Sequence, residues 1–346
     1  MESGRRNKGL LALLLAAALL MGCTAPAASG PSQYQATFLT LFDTVTTIVG
    51  YGETEEDFRA KAQEVHDALL EYHQLFDIYN DYEGINNLKT INDQAGVAPV
   101  EVDSRIIALL LDCKEYYEFT DGLVNVAMGS VLNLWHEART DGINFPDTAA
   151  LPDDSALEEA ALHCSFDTVL IDEEASTVFL TDPQQRLDVG AIAKGWSVEQ
   201  VCRSAPEGLL VSVGGNVCAT GPKPSGAAWV VGIQSPDEGS KQYLHTLNIT
   251  QGCVVTSGDY QRYYVVDGVR YHHIIDPETC YPSQYWRSVT VVCEDSGLAD
   301  CLSTALFLLP QEQGQALLDA VQAEAMWVDA AGNCYYSPGF ETLIRT

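Results

Sequence analysis

Arg262-Tyr263-Tyr264-Val265-Val266-Asp267-Gly268-Val269-Arg270-Tyr271-His272-His273-Ile274-Ile275-Asp276-Pro277 is the stretch from which the fold can be read. Two runs rich in β-branched and aromatic residues flank Asp267-Gly268, a dipeptide suited to a two-residue hairpin turn. Asp276-Pro277 ends the second run. Outward from this hairpin the same punctuation repeats. Val- and Ile-rich runs at 209–213, 228–234, 243–249 and 287–293 are separated by Gly, Pro and Asp turns. Downstream the spacing predicts helices over 298–308 and 311–323, then a pair of short strands. Upstream it predicts a strand from Phe38 to Val49 and two strands between Phe166 and Leu187. Thr54, followed by Glu55, Glu56 and Asp57, starts a helix that runs to about Phe76. Asp103 caps another helix through Ile106, Leu109, Leu110 and Cys113 to Tyr117. Strands grouped together, helices at intervals and no regular βαβ alternation argue an α+β fold. The expectation is a single domain over 37–346, mostly antiparallel sheet with flanking helices.

The N-terminus predicts the compartment. Arg5, Arg6 and Lys8 precede an apolar run from Leu10 to Leu20. That run is too short to span a bilayer, which takes roughly 20 residues, but it suits a signal-peptide core. Leu20-Met21-Gly22-Cys23 has lipobox spacing, so residues 1–22 read as a lipoprotein signal and Cys23 as the lipidated residue. An ordinary secretory signal with a coincidental cysteine is the alternative. Residues 23–36 read as the lipidated Cys and a flexible tether, on Ala27, Ala28, Ser29, Gly30, Pro31 and Ser32. The anchor predicts a place on the extracytoplasmic face of the cell membrane, held by the several acyl chains that stable anchoring needs.

Asp and Glu number 48 against 18 Lys and Arg, a net charge of −30. Such a surface repels nucleic-acid backbones and anionic headgroups, so no nucleic-acid partner is expected. Affinity for any polyanionic ligand, such as a dinucleotide, must then be local, from a metal or a few well-placed donors. Beyond Cys23 the cysteines are Cys113, Cys164, Cys202, Cys218, Cys253, Cys280, Cys293, Cys301 and Cys334, with no C-x-x-C pair. Most lie in apolar contexts, where a thiol acts as a small hydrophobe. They read as reduced core residues rather than a disulfide framework or a zinc site.

Four segments carry chemistry. In Leu187-Asp188-Val189-Gly190-Ala191-Ile192-Ala193-Lys194-Gly195, glycines bracket a lysine before an apolar run that suggests a helix start. Main-chain donors there plus Lys194 would suit a phosphate; a tight turn with a solvated lysine is equally open. Leu210-Val211-Ser212-Val213-Gly214-Gly215-Asn216 reads as a strand ending in a simple turn. Val255-Thr256-Ser257-Gly258-Asp259-Tyr260 reads as a turn facing His272-His273. Neighbouring strand residues face opposite ways, so only one of these histidines can enter a site. Last, Ala299-Asp300-Cys301-Leu302-Ser303-Thr304 places Asp300 and Thr304 four apart on an apolar helix. A carboxylate there costs several kcal/mol unless paired or metal-bound, and a carboxylate with a hydroxyl suits Mg²⁺. A helix cap or a buried salt bridge is the bland alternative for Asp300.

In this order and at these separations, the four segments resemble the FAD:protein FMN transferase family (ApbE-type, formerly called thiamine biosynthesis lipoproteins). The resemblance runs from Phe42-Asp43-Thr44 to about Thr346. It implies FAD contacts at Asp188 and Lys194, the ends of a D-x-x-x-x-x-K loop. It implies a metal bound by the Ala191 main-chain oxygen, Asp300 and Thr304. The family's H-I-I-D-P segment is His273 to Pro277, with Ile274 against the cofactor. Further FAD contacts fall on Phe42, Tyr79 and Leu123-Val124-Asn125. Three positions depart from the family pattern. Thr279-Cys280 replaces Thr-Gly, Phe42 stands where many members have Met, and Asn125 takes an aspartate's place.

The resemblance implies that a Thr or Ser hydroxyl of an exported client attacks the FMN-side phosphorus of FAD, with AMP leaving. Mg²⁺ and Lys194 would neutralise the pyrophosphate, and His273, oriented by Asp276, would be the base. The clients implied are subunits of membrane redox complexes or flavin-bearing electron-transfer domains. Two rivals remain: an FAD pyrophosphatase, with water as acceptor, and a non-catalytic flavin-binding lipoprotein. Mass spectrometry of a co-incubated client separates the first; the Asp300/Thr304 pair counts against the second.

Overall fold

The computed structural model describes residues 30–237, 240 and 242–346. The signal and Cys23 lie outside the described residues. The chain begins with β1 (Ser32–Leu41) and β2 (Thr44–Gly52), followed by α1 (Glu55–Phe76), α2 (Leu88–Asp93) and β3 (Val100–Glu101). Next come α3 (Ser104–Phe119), α4 (Gly129–Asn144), α5 (Asp154–Ala161), β4 (Val169–Asp172) and β5 (Thr177–Leu180). α6 (Ala193–Ser204) leads into β6 (Leu210–Val213), β7 (Asn216–Ala219), β8 (Trp229–Gln234), β9 (Tyr243–Ile249) and β10 (Gly252–Gly258). The chain closes with β11 (Tyr263–Val266), β12 (Val269–His272), β13 (Ser288–Cys293), α7 (Ser296–Phe307), α8 (Gln311–Asp319), β14 (Glu324–Val328) and β15 (Cys334–Tyr336).

Eight strands form one sheet in the order β1-β2-β6-β7-β10-β13-β14-β15. Every pairing in it is antiparallel, as the α+β expectation requires. The Asp267-Gly268 turn closes β11 on β12, with Val266 opposite Val269. α1 starts where Thr54 accepts the Asp57 amide, and it buries Phe58, Ala62, Val65, Leu69, Leu75 and Phe76. These residues recur at helical spacing, so one stripe faces the sheet; each large one contributes about 1.5–3 kcal/mol by leaving water. α7 is buried on nearly every side, packed with Val255, Val289 and Val291 of β10 and β13. No described helix is long and apolar enough to cross a membrane.

Several expectations needed correction. The tether expected over 23–36 ends earlier, because β1 already pairs Ser32 with Gly52 and stacks Tyr34 on Phe58. The single strand expected over 38–49 is two strands, folded back at Phe42 and Asp43, which take φ of 51° and 52°. Propensity alone cannot show this reversal: no glycine marks it, and it is held by the Phe42 amide donating to His73 Nδ1 at 3.3 Å. The expected turn at 255–260 is mostly strand β10, and the second arm of the hairpin stops at His272. α8 ends at Asp319, short of residue 323. α4, whose start carries no side-chain cap, was not legible.

Candidate active site

The four segments meet at a cleft of about 530 Å³. Its deepest wall is the seam between α6 and α7. Asp300 is 4 % exposed and accepts the Gly195 amide at 2.8 Å. Lys194 lies in the first turn of α6, donates to the Gly190 carbonyl at 3.2 Å and stands 3.6 Å from the same Asp300 oxygen. Gly195 is required by this approach, since a Cβ there would meet the Ser296 carbonyl and come within 2.5 Å of the Asp300 Cβ. Burial raises the Asp300 pKa, and Lys194 pulls against that rise. The cap of α7 is Asp295, which accepts the Leu298 amide. Asp300 is therefore not a helix cap, and its one ion pair is long.

Thr304 lines the cleft one turn further along α7, and Ala191 lines it from the loop before α6. Asn216, 1 % exposed, sits beside Asp300 with its amide nitrogen in no well-formed bond. A buried carboxylate, a hydroxyl and main-chain oxygen suit a hard divalent cation, and a cation would offset the cost of burying Asp300. Among the described residues no three His, Cys, Asp or Glu side chains are grouped to hold a metal. Substrate oxygens or water would therefore have to complete any coordination here.

The loop carrying Asp188 is held from both sides. Its Oδ1 accepts the Gly190 amide at 2.8 Å, and its own amide donates to the Val126 carbonyl at 2.8 Å. Asn92 grips Leu187 through both main-chain groups, at 2.9 and 2.7 Å. This ties the loop to the wall formed by Leu123, Val124 and Asn125. Asn125 itself is a brace, with its amide donating to the Cys164 carbonyl and its oxygen accepting the Ala127 amide. At the lip, Phe42 packs edge-on against His73, and half-exposed Tyr79 lies over His136 at 5.3 Å. The Tyr79 phenol is pushed up to about 12, first by partial burial and then by Asp188.

The hairpin separates its two histidines as alternation requires. His272 is buried, with Nε2 donating to the Ser283 carbonyl at 2.8 Å and Nδ1 accepting the Ile274 amide at 3.2 Å. Both ring nitrogens are occupied, so the imidazole is neutral and structural. His273 lines the cleft with Ile274 beside it, and its Nδ1 lies 3.2 Å from the Arg262 carbonyl. Burial, then the Arg262 charge, pushes its pKa down to about 3. The Arg262 carbonyl engages Nδ1 and leaves Nε2 as the acceptor.

Asp276 does not reach His273. Its Oδ1 accepts the Glu278 amide at 2.8 Å, its carbonyl accepts the Cys280 amide, and it is not part of the cleft wall. The orienter's place is taken by the Arg262 carbonyl. Strand alternation ends at His272, so counting residues past it could not place Asp276. Cys280 keeps the turn by adopting φ 59°, the left-handed region its glycine counterpart would occupy freely. Phe42, Tyr79, Leu123, Val124, Asn125, Asp188, Ala191, Lys194, Ile274, Asp300 and Thr304 all line the one cleft. Sequence reasoning missed His73, Asp77, His136, Arg139 and Asn216. Arg139 and His136 sit on α4, the unread helix. Asn216 had a signal in Gly214-Gly215-Asn216, set aside as a simple turn.

The sequence profile of the ApbE family matches residues 42–327. The chain belongs to the ApbE family. It is 38 % identical over 279 residues to an FAD:protein FMN transferase of Treponema pallidum (strain Nichols), covering 74 % of this chain and 75 % of that protein. An FAD:protein FMN transferase of Klebsiella pneumoniae (strain 342) is 34 % identical over 254 residues, with 71 % and 76 % covered. Among solved structures, the ApbE protein of Thermotoga maritima superposes with a TM-score of 0.80 at 30 % identity, covering 91 % of this chain and all of that one. The flavin transferase ApbE of Vibrio cholerae shares the fold, with a TM-score of 0.74 at 24 % identity and 90 % and 99 % covered. The mostly antiparallel α+β architecture is thus that of the family, and the Treponema and Klebsiella relatives are FAD:protein FMN transferases.

Proposed function

We propose that this chain is an FAD:protein FMN transferase that moves FMN from FAD onto a Thr or Ser hydroxyl of an exported client protein and releases AMP. The observation that carries this reading is one cleft holding buried Asp300 beside Lys194, with a neutral His273 on the opposing hairpin. Asp300, Thr304 and the Ala191 carbonyl would hold Mg²⁺, which supplies charge neutralisation at the pyrophosphate. Asp188, Tyr79, Phe42, Ile274 and the 123–125 wall would bind and orient FAD, and Lys194 would neutralise its phosphates. The client hydroxyl gives its proton to His273 Nε2 as its oxygen bonds to the FMN-side phosphorus. The bond from that phosphorus to the bridging oxygen breaks, and AMP leaves with that oxygen. A base in this position is worth roughly 10²–10⁴-fold.

A lipid on Cys23 would place the enzyme on the extracytoplasmic face of the cell membrane, beside clients in membrane redox complexes. A neighbouring open reading frame with a threonine-bearing flavin-acceptor segment names the client to test. Co-incubation of that client with the chain, FAD and Mg²⁺, followed by mass spectrometry, is expected to show FMN on one threonine. Free FMN and AMP with an unmodified client would establish the pyrophosphatase reading instead. Cys23→Ser is expected to abolish detergent partitioning of the processed protein; unchanged partitioning would rule out lipidation.

A further inference from the structure

Three of the cysteines, Cys202, Cys218 and Cys253, share one buried core cluster. Cys218 and Cys253 stand directly opposite each other on the antiparallel strands β7 and β10. Their sulfurs are 2.9 Å apart. Directly opposed strand residues have Cα atoms about 4.5–5.5 Å apart, within the span that a disulfide bridges. Cys202, from the last turn of α6, lies against Cys218 from above. All three are buried. Cys293 also faces Cys253 in register, from β13 on its other side, but the close sulfur contact is with Cys218.

We propose that Cys218 and Cys253 are a redox-modified pair that closes to a cross-strand disulfide when a small-molecule disulfide such as oxidised glutathione is present. The Cys218 thiolate attacks one sulfur of the oxidant, breaks its S–S bond and releases one thiol. The Cys253 sulfur then displaces the second half from the mixed disulfide, forming the Cys218–Cys253 bond. Two electrons pass to the oxidant, and the two thiol protons end on its released halves. Hydrogen bonds from Cys202 and Cys253 push the Cys218 pKa down to about 5, which favours the attacking thiolate. The link would fasten the two strands that carry Asn216 and Thr256 into the cleft, two rungs from the Asn216–Val255 pair.

The test is thiol mapping of the whole chain refolded from urea, either in a glutathione redox buffer or in dithiothreitol. Free thiols are blocked with N-ethylmaleimide under denaturing conditions, and peptides are read by mass spectrometry. In the glutathione buffer Cys218 and Cys253 are expected to escape labelling and appear as one linked peptide pair. The oxidised form is expected to melt roughly 5 °C higher, and dithiothreitol should reverse both changes. Cys253→Ala should lose the link, whereas Cys202→Ala should keep it. Full labelling of Cys218 and Cys253 in both buffers would overturn the proposal. So would a dominant Cys202–Cys218 or Cys253–Cys293 link.

Discussion

The two walls of the cleft are built in opposite ways. The α6–α7 seam is buried and closely bonded, with Gly195 pressed against Asp300 and Glu199 of α6 accepting the Ser296 amide at 2.7 Å. The hairpin wall is half-open: His273 rests on a single main-chain carbonyl, and the Asp276 turn beyond it faces away. Holding a donor's pyrophosphate calls for fixed charge at a fixed place, which a helix seam supplies at no cost of reorganisation. Taking a proton from an incoming hydroxyl calls for a neutral base that a second protein can reach. On the proposed function, the seam would be the donor end and the hairpin the acceptor end.

This division leads to distinct failures. Asp300→Ala is expected to give the largest effect, lowering transfer by roughly 10³-fold. It should also remove the Mg²⁺ dependence of FAD binding, measured by flavin fluorescence at varied Mg²⁺. His273→Ala is expected to lower transfer by about two orders of magnitude while FAD affinity holds. Its neighbour separates chemistry from structure. His272→Ala breaks two buried hydrogen bonds and should cost about 1–3 kcal/mol of stability in urea unfolding, with transfer by the folded fraction retained.

Glu199 gives a smaller effect on the seam side. Its Oε1 is bonded to Arg203 and its Oε2 to the first amide of α7, so it sets where Asp300 and Thr304 stand. Glu199→Gln should weaken Mg²⁺ roughly tenfold by isothermal titration, as loss of an outer support does at metal sites. Transfer at saturating Mg²⁺ should be nearly unchanged, and an unshifted Mg²⁺ titration would remove Glu199 from that role.

The smallest expected effect is on pH dependence. Burial first holds the His136, His272 and His273 pKa values below the ordinary value, which is about 6.5. The unfolded chain takes up protons near that value while the folded chain does not. Stability should therefore be full above pH of about 6.5 and decline below it, with the His273 share continuing down towards about 3. His163, raised by its bond to Asp182, works the other way and blunts the decline. Thermal melts between neutral and mildly acidic pH check this, and a Tm that rises on acidification would contradict it.

Much of this layout was legible because the signals are local. The Asp267-Gly268 turn, the Thr54 and Asp103 caps and the Asp300/Thr304 spacing depend only on near neighbours, and all were found where expected. The remainder depends on contacts distant in sequence. Phe42 turns because His73 accepts its amide from 31 residues away, and Asn92 clamps Leu187 across 95 residues. Asp276 was misassigned for the same reason: the carbonyl that serves His273 belongs to Arg262, on the facing arm of the hairpin.

The division of labour is tested most directly by measuring FMN transfer to a client and Mg²⁺-dependent FAD affinity on the same preparations of wild type, Asp300→Ala and His273→Ala. Asp300→Ala should lose both transfer and the Mg²⁺-dependent part of FAD affinity, and His273→Ala should lose transfer alone. Equal loss of FAD affinity in the two variants, or full transfer by His273→Ala, would contradict the assignment of donor and acceptor ends.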